Sequence, residues 1–129
     1  MSDPTSIVRQ AYAAFGGGDI PAFLALCSGD IRWQFSGDSR AGYSGTMVGH
    51  AQLGEWFAAV GAADDIRAFE PREFFAGPDH VTVLGWEETV ARSSGRLFQC
   101  EWVHVFQVRD GRITRFWGML DSEKTAAAR

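Results

Sequence analysis

The sequence predicts an α+β domain in which N-terminal helices cover one face of an antiparallel sheet. Apolar residues recur at helical spacing along roughly the first half of the chain, whereas strand-like runs separated by turn sequences follow from Ile66 onward. The 129 residues, 46% hydrophobic and 22% charged, suffice for one packed core, so a single domain spanning 1–129 is expected.

Three helices are expected before the long strands. Asp3 followed by Pro4 is typical of a helix start, and the glycines at 16–18 end the apolar pattern that follows. Asp19 predicts the cap of a short second helix. The third helix is indicated by bulky residues at i, i+3, i+4 and i+7, namely Leu53, Trp56, Phe57 and Val60.

The strands are predicted from alternating apolar runs. A short strand covers 31–35, and a glycine-rich polar loop over 36–49 precedes the third helix. One later strand ends near Ala76, and three more cover 81–91, 97–108 and 112–120. Asp110-Gly111 predicts a two-residue hairpin turn before the last strand. For the tail from Ser122, the sequence is compatible with either a short helix or a frayed end.

Charge and cysteine content exclude several classes of function. The net charge of −4 disfavours a nucleic-acid partner, which would need a basic face. Cys27 and Cys100 lie outside any disulfide or zinc pattern, and the three histidines show no paired ligand spacing, so no metal is predicted. With no readable signal peptide and no apolar run of spanning length, we expect no membrane association and a cytoplasmic location.

Several motifs resemble the nuclear-transport-factor-2-like superfamily, and within it the SnoaL-like and ketosteroid-isomerase-like branch. They are the segments Tyr12 to Phe15, Gly18 to Phe23, Asp30 to Trp33, Gly49 before the third helix, and Val105 to Ile113. The resemblance covers nearly the whole chain. It implies a cone-shaped roll, with a curved sheet wrapped around three helices and an apolar pocket inside. It also implies a homodimer through the outer face of the sheet.

The resemblance does not fix a reaction. A ketosteroid isomerase uses a carboxylate base together with a tyrosine and a protonated aspartate around the developing oxyanion. The corresponding positions here are occupied by Phe35, Ala11 and His104, so none keeps its chemical group and that mechanism is disfavoured. An epoxide hydrolase would need two carboxylates around an arginine, and these cannot be matched position by position.

His104 is the first candidate catalytic residue. A three-residue turn over 93–95 would place Glu88 opposite Cys100 and Trp86 opposite Trp102, with all of them on the face of His104. A histidine in an apolar pocket beside Glu88 would suit acid–base chemistry. The alternative is a buried structural histidine. A turn longer or shorter by one residue would replace Glu88 with Glu87.

Asp121 is the second candidate. The spacing of Ile113, Trp117 and Asp121 resembles the segment of SnoaL-like cyclases that carries their acid–base aspartate. The sequence Asp121-Ser122-Glu123-Lys124 equally predicts an N-cap that opens a C-terminal helical turn.

Aromatic residues make up 13% of the chain and are expected to form both core and pocket wall. The predicted ligand-contacting residues are Tyr12, Phe15, Trp33, Phe35, Trp56, Phe57, Trp86, Trp102, Phe106 and Phe116. Two hypotheses follow. The chain is an enzyme performing acid–base chemistry without a cofactor on a small hydrophobic molecule, of the isomerase, cyclase, dehydratase or hydrolase type. Alternatively, it is a non-catalytic ligand-binding or dimerisation module.

Overall fold

The computed structural model describes residues 3–129, and these form four helices and one six-stranded sheet. The helices are α1 (Pro4–Gly16), α2 (Ile20–Ala25), α3 (Gly49–Ala63) and α4 (Ser122–Ala128). The strands are β1 (Cys27–Ser36), β2 (Gly45–Val48), β3 (Asp64–Ala76), β4 (His80–Ala91), β5 (Arg96–Arg109) and β6 (Arg112–Leu120). The predicted α+β cone with helices on one face of a curved sheet is confirmed.

The helix starts follow from their caps. The carboxylate of Asp3 accepts a hydrogen bond from the backbone N–H of Ser6 at 2.8 Å, and that of Asp19 accepts one from Ala22 at 3.1 Å. Both helices carry a proline in the first turn, where no backbone donor is needed. α1 packs Ile7, Val8 and Ala11 into the core.

The sheet has the strand order β2-β1-β6-β5-β4-β3. All neighbouring strands are antiparallel except β1 and β6, which run parallel, so the sheet is mostly rather than wholly antiparallel. The polar loop predicted over 36–49 contains the short edge strand β2. Asp110 and Gly111 both have positive φ, at 51° and 75°, and form the predicted two-residue hairpin turn.

The turn between β4 and β5 differs from the prediction and changes which side chains face inward. Ala91 pairs with Arg96, so the loop contains the four residues 92–95 instead of three. Glu87 therefore lies opposite Cys100, and Gly85 opposite Trp102. Because side chains alternate along a strand, this one-residue difference moves Glu88 and Trp86 to the outer face. Their predicted inward orientation is wrong.

The C-terminal segment forms helix α4, which packs against β5. Its residues Thr125 and Ala128 are buried, and the hydroxyl of Thr125 donates to the carboxylate of Asp38 at 2.6 Å. The open alternative for the tail is thus settled in favour of a helix. Within residues 3–129 no helix has the length and apolar character needed to cross a membrane.

Candidate functional site

An aromatic-walled cavity lies between the concave face of the sheet and helices α1 and α3. Its volume is about 60 Å³, which is room for a few water molecules at about 10–15 Å³ each. The wall is almost entirely apolar. Its residues are Tyr12, Phe15, Phe23, Trp33, Phe35, Tyr43, Trp56, Phe57, Val60, Asp64, Ile66, Phe69, Glu87, Trp102, His104, Phe106, Phe116 and Leu120.

One end of the cavity holds a hydrogen-bonded pair. The hydroxyl of Tyr12, on α1, lies 2.8 Å from Nδ1 of His104, on β5. This is the only side-chain hydrogen bond of His104 within the described residues, so its Nε2 has no protein partner there. When the tyrosine hydroxyl donates to Nδ1, Nε2 carries the remaining proton and is a hydrogen-bond donor.

His104 is held in place by aromatic rings. The Trp102 ring stacks on it at 4.0 Å with an interplanar angle of 18°, and the edge of Phe116 contacts it at 4.9 Å. Only 9% of the residue is exposed. Burial lowers the pKa of the imidazole to about 3, so His104 is neutral at neutral pH. It therefore donates or accepts hydrogen bonds here without carrying a charge.

Two glycines make room for these rings. Gly85 lies opposite Trp102 on β4, and a Cβ added there would lie 2.1 Å from the indole ring. Gly118 lies opposite His104 on β6, and a Cβ there would lie 2.6 Å from the ring of Phe116. The sheet thus accommodates large rings on β5 and β6 because its neighbouring positions have no side chain.

Glu87 also lies on the cavity wall, in the place that the sequence assigned to Glu88 for a three-residue turn. It is 5% exposed, and its only hydrogen bond within residues 3–129 comes from the thiol of Cys100 at 3.9 Å. Burial, and then the negative charge of Asp64, raise the pKa of its carboxyl to about 7. Glu87 is consequently divided between its acid and carboxylate forms near neutral pH.

Asp64 also lies on the wall, but its oxygens are engaged. The hydroxyl of Tyr43 donates to Asp64 at 2.5 Å, and the guanidinium of Arg129 forms an ion pair with it. The same guanidinium lies 3.6 Å from Asp38, which receives the hydroxyl hydrogen bond from α4. This network fixes the C-terminal segment against the wide loop after β1 and leaves Glu87 as the carboxyl without a cationic partner.

Two indole groups on the wall lack hydrogen-bond partners. The Nε1 atoms of Trp33 and Trp102 are buried and unpaired among the described residues. A buried donor without a partner costs about 1–3 kcal/mol, so these two groups lower the stability of the fold as it stands.

The predicted site residues divide between the cavity and the surface. Nine of the ten predicted ligand-contacting residues line the cavity, as does His104, while Trp86 lies outside against Arg72. Glu88 is on the outer face, where it accepts a hydrogen bond from Gln99 at 2.8 Å.

Asp121 is exposed, and its carboxylate accepts a hydrogen bond from the backbone N–H of Lys124 as the N-cap of α4. It is not among the cavity residues, so no His104–Asp121 pair forms.

Sequence reasoning missed several wall residues, in particular Asp64, Tyr43 and Phe69, and it named Glu87 only as the alternative to Glu88. Glu87 was within reach, because alternation along β4 selects it once the loop length is known. No sequence signal marked Asp64, since it lies at the junction of α3 and β3. The described residues contain no group of three metal-binding side chains.

The chain belongs to the SnoaL-like family. The model of the SnoaL-like domain matches residues 8–116. No curated protein sequence matches the chain.

Solved structures agree with this assignment. An NTF2-like protein of unknown function from Burkholderia pseudomallei is 30% identical, with 99% of this chain and 98% of that chain covered and a TM-score of 0.90. An NTF2-like protein from Burkholderia xenovorans is 31% identical, covering 96% and 93%, with a TM-score of 0.86. TerC, co-crystallised with polyporic acid, is 28% identical, covering 95% and 94%, with a TM-score of 0.83. The predicted membership of the NTF2-like superfamily and its SnoaL-like branch is confirmed.

Proposed function

We propose that the chain is an enzyme that performs acid–base chemistry without a cofactor on a small hydrophobic ring compound bearing a carbonyl or hydroxyl oxygen. The observation that carries this proposal is the neutral Tyr12–His104 pair, which is buried at the end of an aromatic cavity. Aromatic walls with a few placed polar groups are characteristic of sites for small molecules.

The pair suits an oxygen atom that gains negative charge during a reaction. With the Tyr12 hydroxyl donating to Nδ1, the Nε2–H of the neutral imidazole is the free donor for such an oxygen, and a fixed donor in an apolar wall stabilises it more strongly than solvent does. Burial raises the pKa of the Tyr12 hydroxyl and lowers that of His104, so the hydroxyl keeps the proton that it donates to Nδ1 and the imidazole remains an uncharged donor through Nε2. His104 thus acts here by polarising the substrate, in place of the proton transfer expected from the sequence.

Binding requires movement of wall side chains, because the cavity holds only about 60 Å³. The rings of Phe15 and Phe69 are half-buried and touch each other with centroids 5.1 Å apart. Displacing them opens space without disrupting the fully buried core. This small volume also favours the second candidate function, a module that binds a ligand or is filled by its own side chains without catalysing a reaction.

The test is ligand-detected NMR with ring compounds that carry a carbonyl or hydroxyl group, with polyporic acid included because TerC was crystallised with it. Tyr12→Phe removes only the hydroxyl that keeps the His104 proton on Nε2, and it is expected to weaken binding about tenfold, as loss of one buried hydrogen bond does. Glu88→Gln, on the outer face, is the matched control. Product analysis of each binding compound separates the enzyme from the binding module.

We further propose that two copies pair through the outer face of the sheet. This face presents Trp86, stacked under Arg72 with the guanidinium 5.0 Å from the ring centroid. It also presents Met119, which is 51% exposed. Apolar side chains together with arginine–aromatic pairs are common at protein interfaces.

A further inference from the structure

We propose that Glu87 is the catalytic residue that exchanges a proton with the bound molecule, at the opposite end of the cavity from the Tyr12–His104 pair. This inference rests on the proposed function, because it assigns the proton-transfer step that His104 cannot supply while its basic Nδ1 accepts the hydrogen bond from the Tyr12 hydroxyl and its Nε2 carries a proton. It also restricts the substrate class to molecules that present an acidic C–H or O–H group away from the polarised oxygen.

Glu87 and His104 lie well apart along the sheet. Glu87 lies opposite Cys100, and His104 is four residues further along β5 on the same face, about 14 Å along the strand. The indole of Trp102 lies between them. A substrate therefore contacts Glu87 and His104 with different atoms, its ring resting against the indole face.

Glu87 differs from the other wall carboxylate in its partners. Asp64 is bound by the hydroxyl of Tyr43 and the guanidinium of Arg129, so its charge is compensated and its oxygens are occupied. The oxygens of Glu87 have a single weak contact with the Cys100 thiol. A carboxyl group that lines a cavity without a cationic partner is free to bind and release a proton.

The groups around Glu87 explain its titration. The charge of Asp64 from β3 and burial favour the protonated form, whereas Arg129 beyond α4 favours the carboxylate. The Cys100 thiol on β5 and the buried hydroxyl of Thr89 on β4, the strand of Glu87, also favour the carboxylate. The pKa that results, about 7, is near the value at which a general acid or base is most effective at neutral pH.

A nitrobenzisoxazole is a suitable probe because its ring opening needs one base and no cofactor. The carboxylate of Glu87 takes the ring C–H proton, and the electron pair of that bond completes the nitrile. The N–O bond breaks, and its electron pair leaves on the phenolate oxygen, whose absorbance is measured. Glu87 then returns its proton to water.

The expected result is a saturable rate in the wild type that rises with pH and levels off above about pH 7, following the Glu87 carboxyl pKa. Glu87→Gln should lower this rate about 100-fold, the usual contribution of a general base. Glu88→Gln should leave both the rate and the pH profile unchanged. Carbon NMR should show one glutamate carboxyl titrating near pH 7 in the wild type and in Glu88→Gln, and none in Glu87→Gln.

Two results would overturn the inference in distinguishable ways. Saturable binding of the probe, seen as shifts of cavity resonances, with an unchanged rate in Glu87→Gln would remove Glu87 as the base and leave the proposed site intact. An absence of both cavity shifts and saturable rate would overturn the proposed function and the role of Glu87 together.

Discussion

Replacing Glu87 by Gln should stabilise the protein at alkaline pH and have little effect in mild acid. Glutamine keeps the size and polarity of the side chain but does not ionise. In the folded wild type the carboxyl pKa is raised from its ordinary value of 4.5 to about 7 by burial and by the Asp64 charge. The folded state therefore binds the proton more tightly than the unfolded state does.

The sign and size of the change in the free energy of unfolding follow from this difference in pKa between the folded and unfolded states. Stability from the protonated carboxyl is fully present below pH 4.5 and is lost as the pH rises through about 7. Each pKa unit corresponds to about 1.4 kcal/mol, so the ionised Glu87 costs the folded wild type about 3 kcal/mol above pH 7. Between pH 5 and pH 8, the free energy of unfolding of Glu87→Gln relative to wild type should thus rise by about 2 kcal/mol.

Urea unfolding followed by tryptophan fluorescence at pH 5 and pH 8 measures this difference. Subtracting the wild-type free energy of unfolding from that of the variant at each pH cancels the contribution of other titrating groups, including His104. Glu88→Gln is the control and should change stability by less than about 0.5 kcal/mol at either pH, as expected for a residue on the outer face. A pH-independent difference between Glu87→Gln and wild type would refute the argument that burial raises this pKa.

Four further predictions concern the cavity and its surroundings. Gly85→Ala should destabilise the fold by about 1–3 kcal/mol in chemical unfolding, because its methyl group would overlap the Trp102 ring. Gly61→Ala, in open space on α3, should instead stabilise it by about 0.5–1 kcal/mol. In NMR, the His104 ring should remain neutral from pH 8 to pH 5, since its pKa is about 3; protonation near pH 6.5 would show that burial has no such effect. Trp86→Glu should shift a dimer to monomer in light scattering, and an unchanged mass would contradict the proposed outer-face contact.

Much of the fold was predictable because its signals are local. A carboxylate before a proline caps α1 through backbone groups three residues away, and Asp110-Gly111 adopts the positive φ values that a tight hairpin requires. Alternation of apolar residues similarly identified the long strands. These features depend on neighbours within a few residues, so the sequence alone determined them.

Which catalytic candidates face the cavity depended on the loop length and on the packing of the folded chain, which the sequence alone does not give. One additional residue in the loop before Arg96 decided that Glu87 and not Glu88 faces the cavity, since side chains alternate between the two faces of a strand. Asp121 satisfied two patterns at once, and only the folded chain assigned its carboxylate to the α4 cap.

Pairs brought together by packing were likewise decided by tertiary structure. Tyr12 meets His104 across 92 positions of the chain, and Arg129 reaches Asp64 across 65 positions. The sequence by itself determined which residues are apolar, the positions of α1 to α3 and of the long strands, and that His104 lies on a strand with aromatic neighbours. The curvature and register of the sheet determined which polar groups share one cavity, and burial there lowers the pKa of His104 and raises that of Glu87.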